Sequence, residues 1–332
     1  MLLVSEREVE ELLDLDELID ALAGAMADLS SGRASVPNRI AARVDEREGL
    51  LAAMPGYAPS AGALASKLVT LFPHNAGTGR PAHQAVIAVF DPDNGTPTAL
   101  LDGTAITAIR TGAGSALATR LLARDDAETI AILGTGVQAR SHARAVTRVR
   151  PLGELRVCGR DGPKADALAE ELADELDLEV RATGSWKEAC DGADIICATT
   201  HAIEPVVRRE WLAPGVHVNS VGYNPRGREV DDATVAEAVV VVESREAALA
   251  AVPPGSNDPR SNDLVQPIEQ GLIDADHVAE IGELVDGTKP GRTSSEQLTL
   301  YKSVGVAVQD GTAAALVLRA ARERHAGRDV EL

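Results

Sequence analysis

The chain of 332 residues carries 51 acidic against 32 basic residues, a net charge of -19, and 45% of it is hydrophobic, enough for a packed core in each of roughly two domains. So acidic a field repels a phosphate backbone, and no lysine or arginine cluster offsets it, which excludes nucleic acid as a partner. Apolar runs such as residues 130–133 and 238–242 are far too short to cross a bilayer, so no membrane partner is expected.

Only five of the basic residues are lysines, and the acidic excess reads as a halophilic surface, solvated and tolerable where salt screens self-repulsion. Residues 1–30 have the spacing of an amphipathic helix with acids throughout, unlike the basic start and apolar centre of a signal peptide. A cytoplasmic protein is therefore expected. Cys158, Cys190 and Cys197 include no CxxC pair and read as reduced core thiols. A loop at 31–37 leads into short alternating segments. Residues 84–90 and 97–101 are β-type runs joined by a turn with Asn94-Gly95 at its tip, a strong hairpin signal because both residues tolerate positive φ. Residues 105–123 have helical spacing and end at the charged connector Arg124-Asp125-Asp126, where a domain boundary is placed.

From Thr129 strands and helices alternate. Strands are expected at 129–133, 155–158, 178–181, 195–198, 216–221 and 238–243, with helices starting at Val137 and Pro163. Short valine- and isoleucine-rich runs with helices between them predict a doubly wound α/β domain of the Rossmann type, its parallel sheet buried on both faces. A polar loop with Gly255, Asn257, Asp258 and Pro259 follows, and a long alanine-rich helix is expected over 296–324.

Gly134-Thr135-Gly136-Val137-Gln138-Ala139 is a GxGxxA fingerprint. Its context gives it meaning, since it follows the apolar strand TIAIL and opens a helix. Gly134 permits the tight turn, Gly136 lets the backbone approach a pyrophosphate at the helix N-terminus, and Ala139 allows close packing. The next strand ends Val157-Cys158-Gly159-Arg160-Asp161. Gly159 stands where an NAD enzyme usually presents an acid to the ribose, and Arg160 could pair with a 2′-phosphate, so NADP is favoured over NAD. Asp161 is the rival, because a one-residue slip would restore an NAD-type acid.

Lys67 sits in the apolar, strand-like stretch ALASKLVTLF. In a lysine-poor chain that placement points to a buried amine with a lowered pKa, fit for general acid–base work; a strand-edge lysine reaching water is the alternative. Arg39 and Arg110, each beside small or turn residues, suit a bidentate grip on a carboxylate. His83 either approaches the same site or is an ordinary turn histidine. The seven histidines show no ligand spacing, so no metal is expected.

Through VPNRI, MPGY, ASKLV, GRPAHQ, DPDNGTP, DGTAITAIRTGAGSALA, ILGTGVQA, VGYNPRGREVD and LYKSVGVAVQD the chain resembles the ornithine cyclodeaminase and mu-crystallin family, which also contains an archaeal type of alanine dehydrogenase. The resemblance implies that Arg39, Lys67 and Arg110 surround a substrate carboxylate, with Lys67 also moving protons. It implies that Arg110, Thr111, Gly134, Gly136, Val137, Gln138, Gly159, Arg160, Thr200 and Val221 hold the dinucleotide. It further implies a homodimer with a substrate-binding and dimerisation domain over 1–124 and 298–332, built from the N-terminal part and the C-terminal helix, beside a Rossmann domain over 125–297. The expected activity is NAD(P)-dependent oxidation or reduction of the carbon–nitrogen bond of a small amino acid, a 2-oxo acid with ammonia, or a cyclic imine. Ornithine cyclisation and a non-catalytic NADP-binding role are the alternatives. Cyclodeaminases carry an aspartate just after the glycine of the motif Val221-Gly222-Tyr223-Asn224-Pro225, where this chain has Tyr223. That departure argues against cyclisation.

Overall fold

The computed structural model describes residues 1–75, 78–224, 227–249 and 262–331; the polar loop expected after Pro253 lies outside them. Its chain divides into two compact units, Met1–Arg110 with Gly305–Leu332, and Thr111–Val304.

The single helix expected over 1–30 is instead a strand, β1 (Leu2–Val4), and two helices, α1 (Glu6–Leu12) and α2 (Leu15–Ser30). Asp14 breaks the run: its side chain accepts from Glu17 N at 2.8 Å and restarts the helix as an N-cap. There follow β2 (Ile40–Val44), β3 (Gly49–Ala58), β4 (Ala63–Leu71), β5 (His83–Phe90), β6 (Pro97–Asp102) and α3 (Gly103–Leu122). The expected hairpin forms between β5 and β6, with Gly95 at φ +76°.

The second unit runs through β7 (Thr129–Leu133), α4 (Val137–Val146), β8 (Glu154–Cys158), α5 (Gly162–Glu175), β9 (Glu179–Ala182), α6 (Trp186–Cys190), β10 (Ile195–Ala198), β11 (His217–Ser220), α7 (Asp232–Glu237), β12 (Val239–Val242), α8 (Arg245–Leu249), α9 (Asn262–Glu269), β13 (Ala279–Glu280), α10 (Ile281–Val285) and β14 (Thr299–Lys302). The chain then returns to the first unit as α11 (Ala307–Arg324) and β15 (Arg328–Asp329). The helix expected from 296 thus begins only at Ala307. Its first stretch is β14, a strand buried at every position between β11 and β12. A strand covered on both faces loses the alternation that separates it from a buried helix.

In the first unit a seven-stranded sheet has the order β15-β1-β6-β5-β4-β3-β2. Helix α11 lies across β3, β4 and β5 and against α2. The approach is close enough that a Cβ on Gly56 of β3 would stand 2.8 Å from Ala307 Cβ. On the opposite face of the sheet, Ile40, Leu51, Leu68 and Val86 are exposed, and the strand registers put all four on that side.

In the second unit eight strands, all parallel, run β13-β12-β14-β11-β10-β7-β8-β9. Along β7, Ala131 and Leu133 enter one core cluster while Ile130 and Ile132 enter another. Both faces are therefore covered, the doubly wound arrangement. The order reverses between β7 and β10, and open sheets of this kind bind ligands beyond the carboxyl ends of such strands.

Candidate functional site

In the first unit, Lys67 lies on the face of β4 that α11 covers. Its register partners, Met54 on β3 and Ile87 on β5, are buried beside it. An ammonium placed there has lost most of its water, and only 3% of the side chain is exposed. Asp310, on the first turns of α11, supplies the compensation: its Oδ2 is 2.8 Å from Lys67 Nζ, and its Oδ1 accepts from Arg110 Nε at 2.9 Å. Thr107 Oγ1, one turn before Arg110 on α3, accepts a hydrogen bond from Lys67 Nζ at 3.4 Å.

Burial pushes the Lys67 amine down; Asp310 opposes that, Arg110 and Arg39 add to it, and the balance falls to about 8. For Asp310, burial pushes the carboxyl up, but Arg110 and Lys67 outweigh it and hold it below the usual carboxylate range. The Arg110 guanidinium is fixed again by Gln309, whose Oε1 accepts from Nη1 at 2.9 Å and from Val306 N at 3.2 Å. Arg39 Nη2 donates to Gly305 O at 3.3 Å. The Arg110 guanidinium also stands against Gly305, about 3.0 Å from where a Cβ would project, and Gly305 has φ +73°. Lys67 and Arg110 share the Asp310 carboxylate, and Arg39 stands near enough to Lys67 to add to the lowering of its amine. Three cations against one anion leave the cluster positive, suited to a small carboxylate substrate. His83 sits on the same sheet face as Lys67, at the end of β5, and is exposed.

In the second unit, Gly134 has φ +127°, and a Cβ there would meet Thr199 Oγ1 at 2.5 Å. A Cβ on Gly136 would meet nothing within 4 Å, and no side chain caps α4 at that residue. Val137 and Gln138 open the helix without a side-chain cap, and the first N–H groups of a helix are left without intrahelical partners. These residues fit a dinucleotide pyrophosphate. Any side chain at Gly159 would have to displace Thr135, whose Cγ2 lies 2.6 Å from the Cβ position. Asp161 is taken up as the N-cap of α5, accepting from Lys164 N at 3.3 Å, while Arg160 beside it is exposed.

Thr200 and Val221 follow the ends of β10 and β11, and both loops are tied by Glu229, which is 2% exposed. Its Oε1 accepts from Thr200 N at 2.6 Å and Thr200 Oγ1 at 2.8 Å. Its Oε2 accepts from Ser220 Oγ at 2.8 Å and Gly222 N at 2.7 Å. Lys302 Nζ completes the knot, donating to Ser220 Oγ at 3.0 Å and Gly222 O at 2.8 Å. The sequence reading missed Asp310, Gln309, Glu229 and Lys302. All four lie in the motifs LYKSVGVAVQD and VGYNPRGREVD, and Lys302 carried a further signal, since the scarcity of lysine that singles out Lys67 applies equally to it.

The three cysteines are free and buried, and burial pushes the thiols of Cys190 and Cys197 up to about 12. Among the described residues, no helix is long and apolar enough to cross a membrane.

Comparison with known proteins adds an independent line. The model of the ornithine cyclodeaminase/mu-crystallin family matches residues 1–325. The ketimine reductase mu-crystallin of Mus musculus is 39% identical over 319 residues, 95% of each chain. The solved Thermococcus litoralis Delta(1)-pyrroline-2-carboxylate reductase, in complex with NADH and L-proline, superposes with a TM-score of 0.92 at 39% identity, covering 99% of this chain and all of that one. An archaeal alanine dehydrogenase dimer with bound NAD superposes with a TM-score of 0.90 at 29% identity, covering 100% and 99%.

Proposed function

This chain belongs to the ornithine cyclodeaminase/mu-crystallin family, and from that premise we propose that it is an NAD(P)-dependent reductase of cyclic 2-imino acids, with Δ1-pyrroline-2-carboxylate as the substrate to try first. The observation that carries the reading is a buried amine, Lys67, held among Arg110, Arg39 and Asp310. A carboxylate clamp beside a proton donor is what a substrate bearing a carboxylate next to a C=N bond requires.

Arg39 and Arg110 bind and orient the carboxylate, which supplies rate through positioning. Lys67 Nζ gives its proton to the imine nitrogen, so the N–H bond forms as the ring carbon becomes electron-poor. The buried apolar neighbours Met54 and Ile87 keep water from competing for that proton. The nicotinamide, when bound, supplies the hydride that this carbon accepts. In the second unit, Gly134, Gly136, Val137 and Gln138 would hold the pyrophosphate, Thr111, Thr200 and Val221 would line the dinucleotide, and Gly159 with Arg160 would suit a 2′-phosphate, the basis for favouring NADP over NAD.

The apolar face formed by Ile40, Leu51, Leu68 and Val86 supports a homodimer built on the first unit's sheet. The acidic surface supports a halophilic, cytoplasmic enzyme. Tyr223 in place of an acid leaves the motif no carboxylate for a side-chain amine, which disfavours ornithine cyclisation.

The test follows reduced-nicotinamide absorbance at high salt, with Δ1-pyrroline-2-carboxylate, larger cyclic ketimines, and alanine or pyruvate with ammonium. Turnover of the cyclic imines above the open-chain substrates is expected. Activity with alanine alone would replace the reading with a dehydrogenase.

A further inference from the structure

The two oxygens of Asp310 are divided between two cations: Oδ2 is 2.8 Å from Lys67 Nζ, and Oδ1 is 2.9 Å from Arg110 Nε. Both bonds are made inside the first unit, where Asp310 is 1% exposed. We propose that Asp310 is a positioning residue of the reductase: it sets the spacing between the proton-donating Lys67 and the carboxylate-binding Arg110, and it keeps Lys67 in the ammonium form that the reaction consumes. This rests on the imine-reductase reading above and deepens it.

Among the described residues, the surroundings of Lys67 offer no second carboxylate for the task. β3 and β5 offer Met54 and Ile87 beside Lys67, and α3 offers the neutral Thr107 and the cationic Arg110. The segment before β2 offers Arg39, a further cation. Among the described residues, Asp310 is the charged group that favours protonation of Lys67, and Arg110, Arg39 and burial all oppose it. When Lys67 gives up its proton, Asp310 is not stranded, because Arg110 still pairs with it. The carboxylate therefore stays ionised throughout, and the proton that leaves Lys67 is regained from solvent after product release.

Asparagine in its place offers one acceptor and one donor, so either Lys67 or Arg110 faces an N–H group. With Oδ1 kept by Arg110, Lys67 loses the interaction that holds its proton.

The experiment compares wild type, Asp310→Asn and Asp310→Glu. The kcat for Δ1-pyrroline-2-carboxylate is followed against pH, and the Lys67 side chain is titrated by NMR in protein labelled with 13C-lysine, which is readable because there are five lysines. In Asp310→Asn the basic limb of kcat should move down by at least about one pH unit, giving a loss of about fivefold or more at about pH 8 and under about threefold at about pH 6. The Lys67 midpoint should fall in parallel. Asp310→Glu should keep the midpoint while losing kcat. Asp310→Ser, which leaves room for water, makes the same comparison where Asn does not fold. An Asn or Ser profile parallel to wild type at every pH, or an unmoved Lys67 midpoint, overturns the proposal. If wild type reduces no imine, the function reading fails, and the NMR titration still decides the role of Asp310.

Discussion

Lys302 Nζ lies 2.7 Å from Asp263 Oδ2, and both side chains are closed off from solvent. Asp263 Oδ1 in turn receives the backbone N–H groups of Glu229 and Val230 at 2.8 and 2.9 Å. The pair therefore supports, from behind, the carboxylate that ties the loops after β10 and β11. Lys302→Met should leave Asp263 buried without its cation and lower stability by about 3–5 kcal/mol. Thermal unfolding reads this directly. A melting temperature equal to wild type would show that the ion pair contributes nothing net.

Lys67→Ala should behave in the opposite way. Asp310 keeps Arg110 as a partner, so no unpaired charge is left and the melting temperature should stay within a few degrees of wild type. Dinucleotide affinity should hold, while turnover falls about 100-fold or more, as for loss of a general acid. Near-normal turnover at saturating substrate would show that Lys67 is a structural lysine.

Arg160→Ala should weaken NADPH more than NADH, by about 1.5–3 kcal/mol for one charged contact with the 2′-phosphate. Fluorescence titration of both cofactors against both proteins measures the difference. An equal loss for the two would remove the basis for preferring NADP.

The exposed face of the first unit predicts an oligomer that charge disrupts. Leu51→Lys with Leu68→Lys places two ammonium groups in the apolar patch, and light scattering should report a dimer for wild type and a monomer for the variant. A monomeric wild type would end the dimer reading.

Acid stability should be set in part by two buried histidines of the second unit. His142 bridges Gln138 O and Ser115 Oγ, at 2.7 and 2.8 Å, and burial pushes it down to about 4. His217 is pushed down to about 3, by burial first, with Arg292 and Arg150 adding to it. Unfolded histidine titrates at about 6.5, so below that pH the unfolded chain binds protons that the folded chain refuses, and stability falls as pH falls toward about 4. Urea unfolding between about pH 7 and 5 should lose roughly 2 kcal/mol per buried histidine, and His142→Gln should make the slope shallower by about one proton. An unchanged slope would mean that His142 charges freely in the folded protein.

What the sequence made readable was local. GTGVQA could be recognised because its strand, turn and helix are contiguous, and Lys67 stood out because lysine is rare in this chain. Asp310 was invisible for the opposite reason: within VAVQDGTAAALVL an acid at a helix start looks like an ordinary favourable charge. Its meaning comes from β4 and α3, far away along the chain. Glu229 likewise gains its role only when Thr200 and Gly222 are brought to its two oxygens. The register of the first sheet, and the strand identity of β14, depend on the same long-range pairing.

Because β15 completes, and α11 covers, a sheet whose other strands lie within residues 1–110, order of synthesis matters. The doubly wound unit lies wholly within 111–304 and can assemble on the ribosome while Lys67 and Arg110 still wait for Asp310. A stalled or prematurely terminated chain would present a cofactor-binding unit with no working acid. The first unit would then expose the apolar faces of β3 and β4 that α11 normally covers, the kind of surface that chaperones and proteases detect. Nascent-chain proteolysis should therefore show the middle of the chain becoming protected before its beginning.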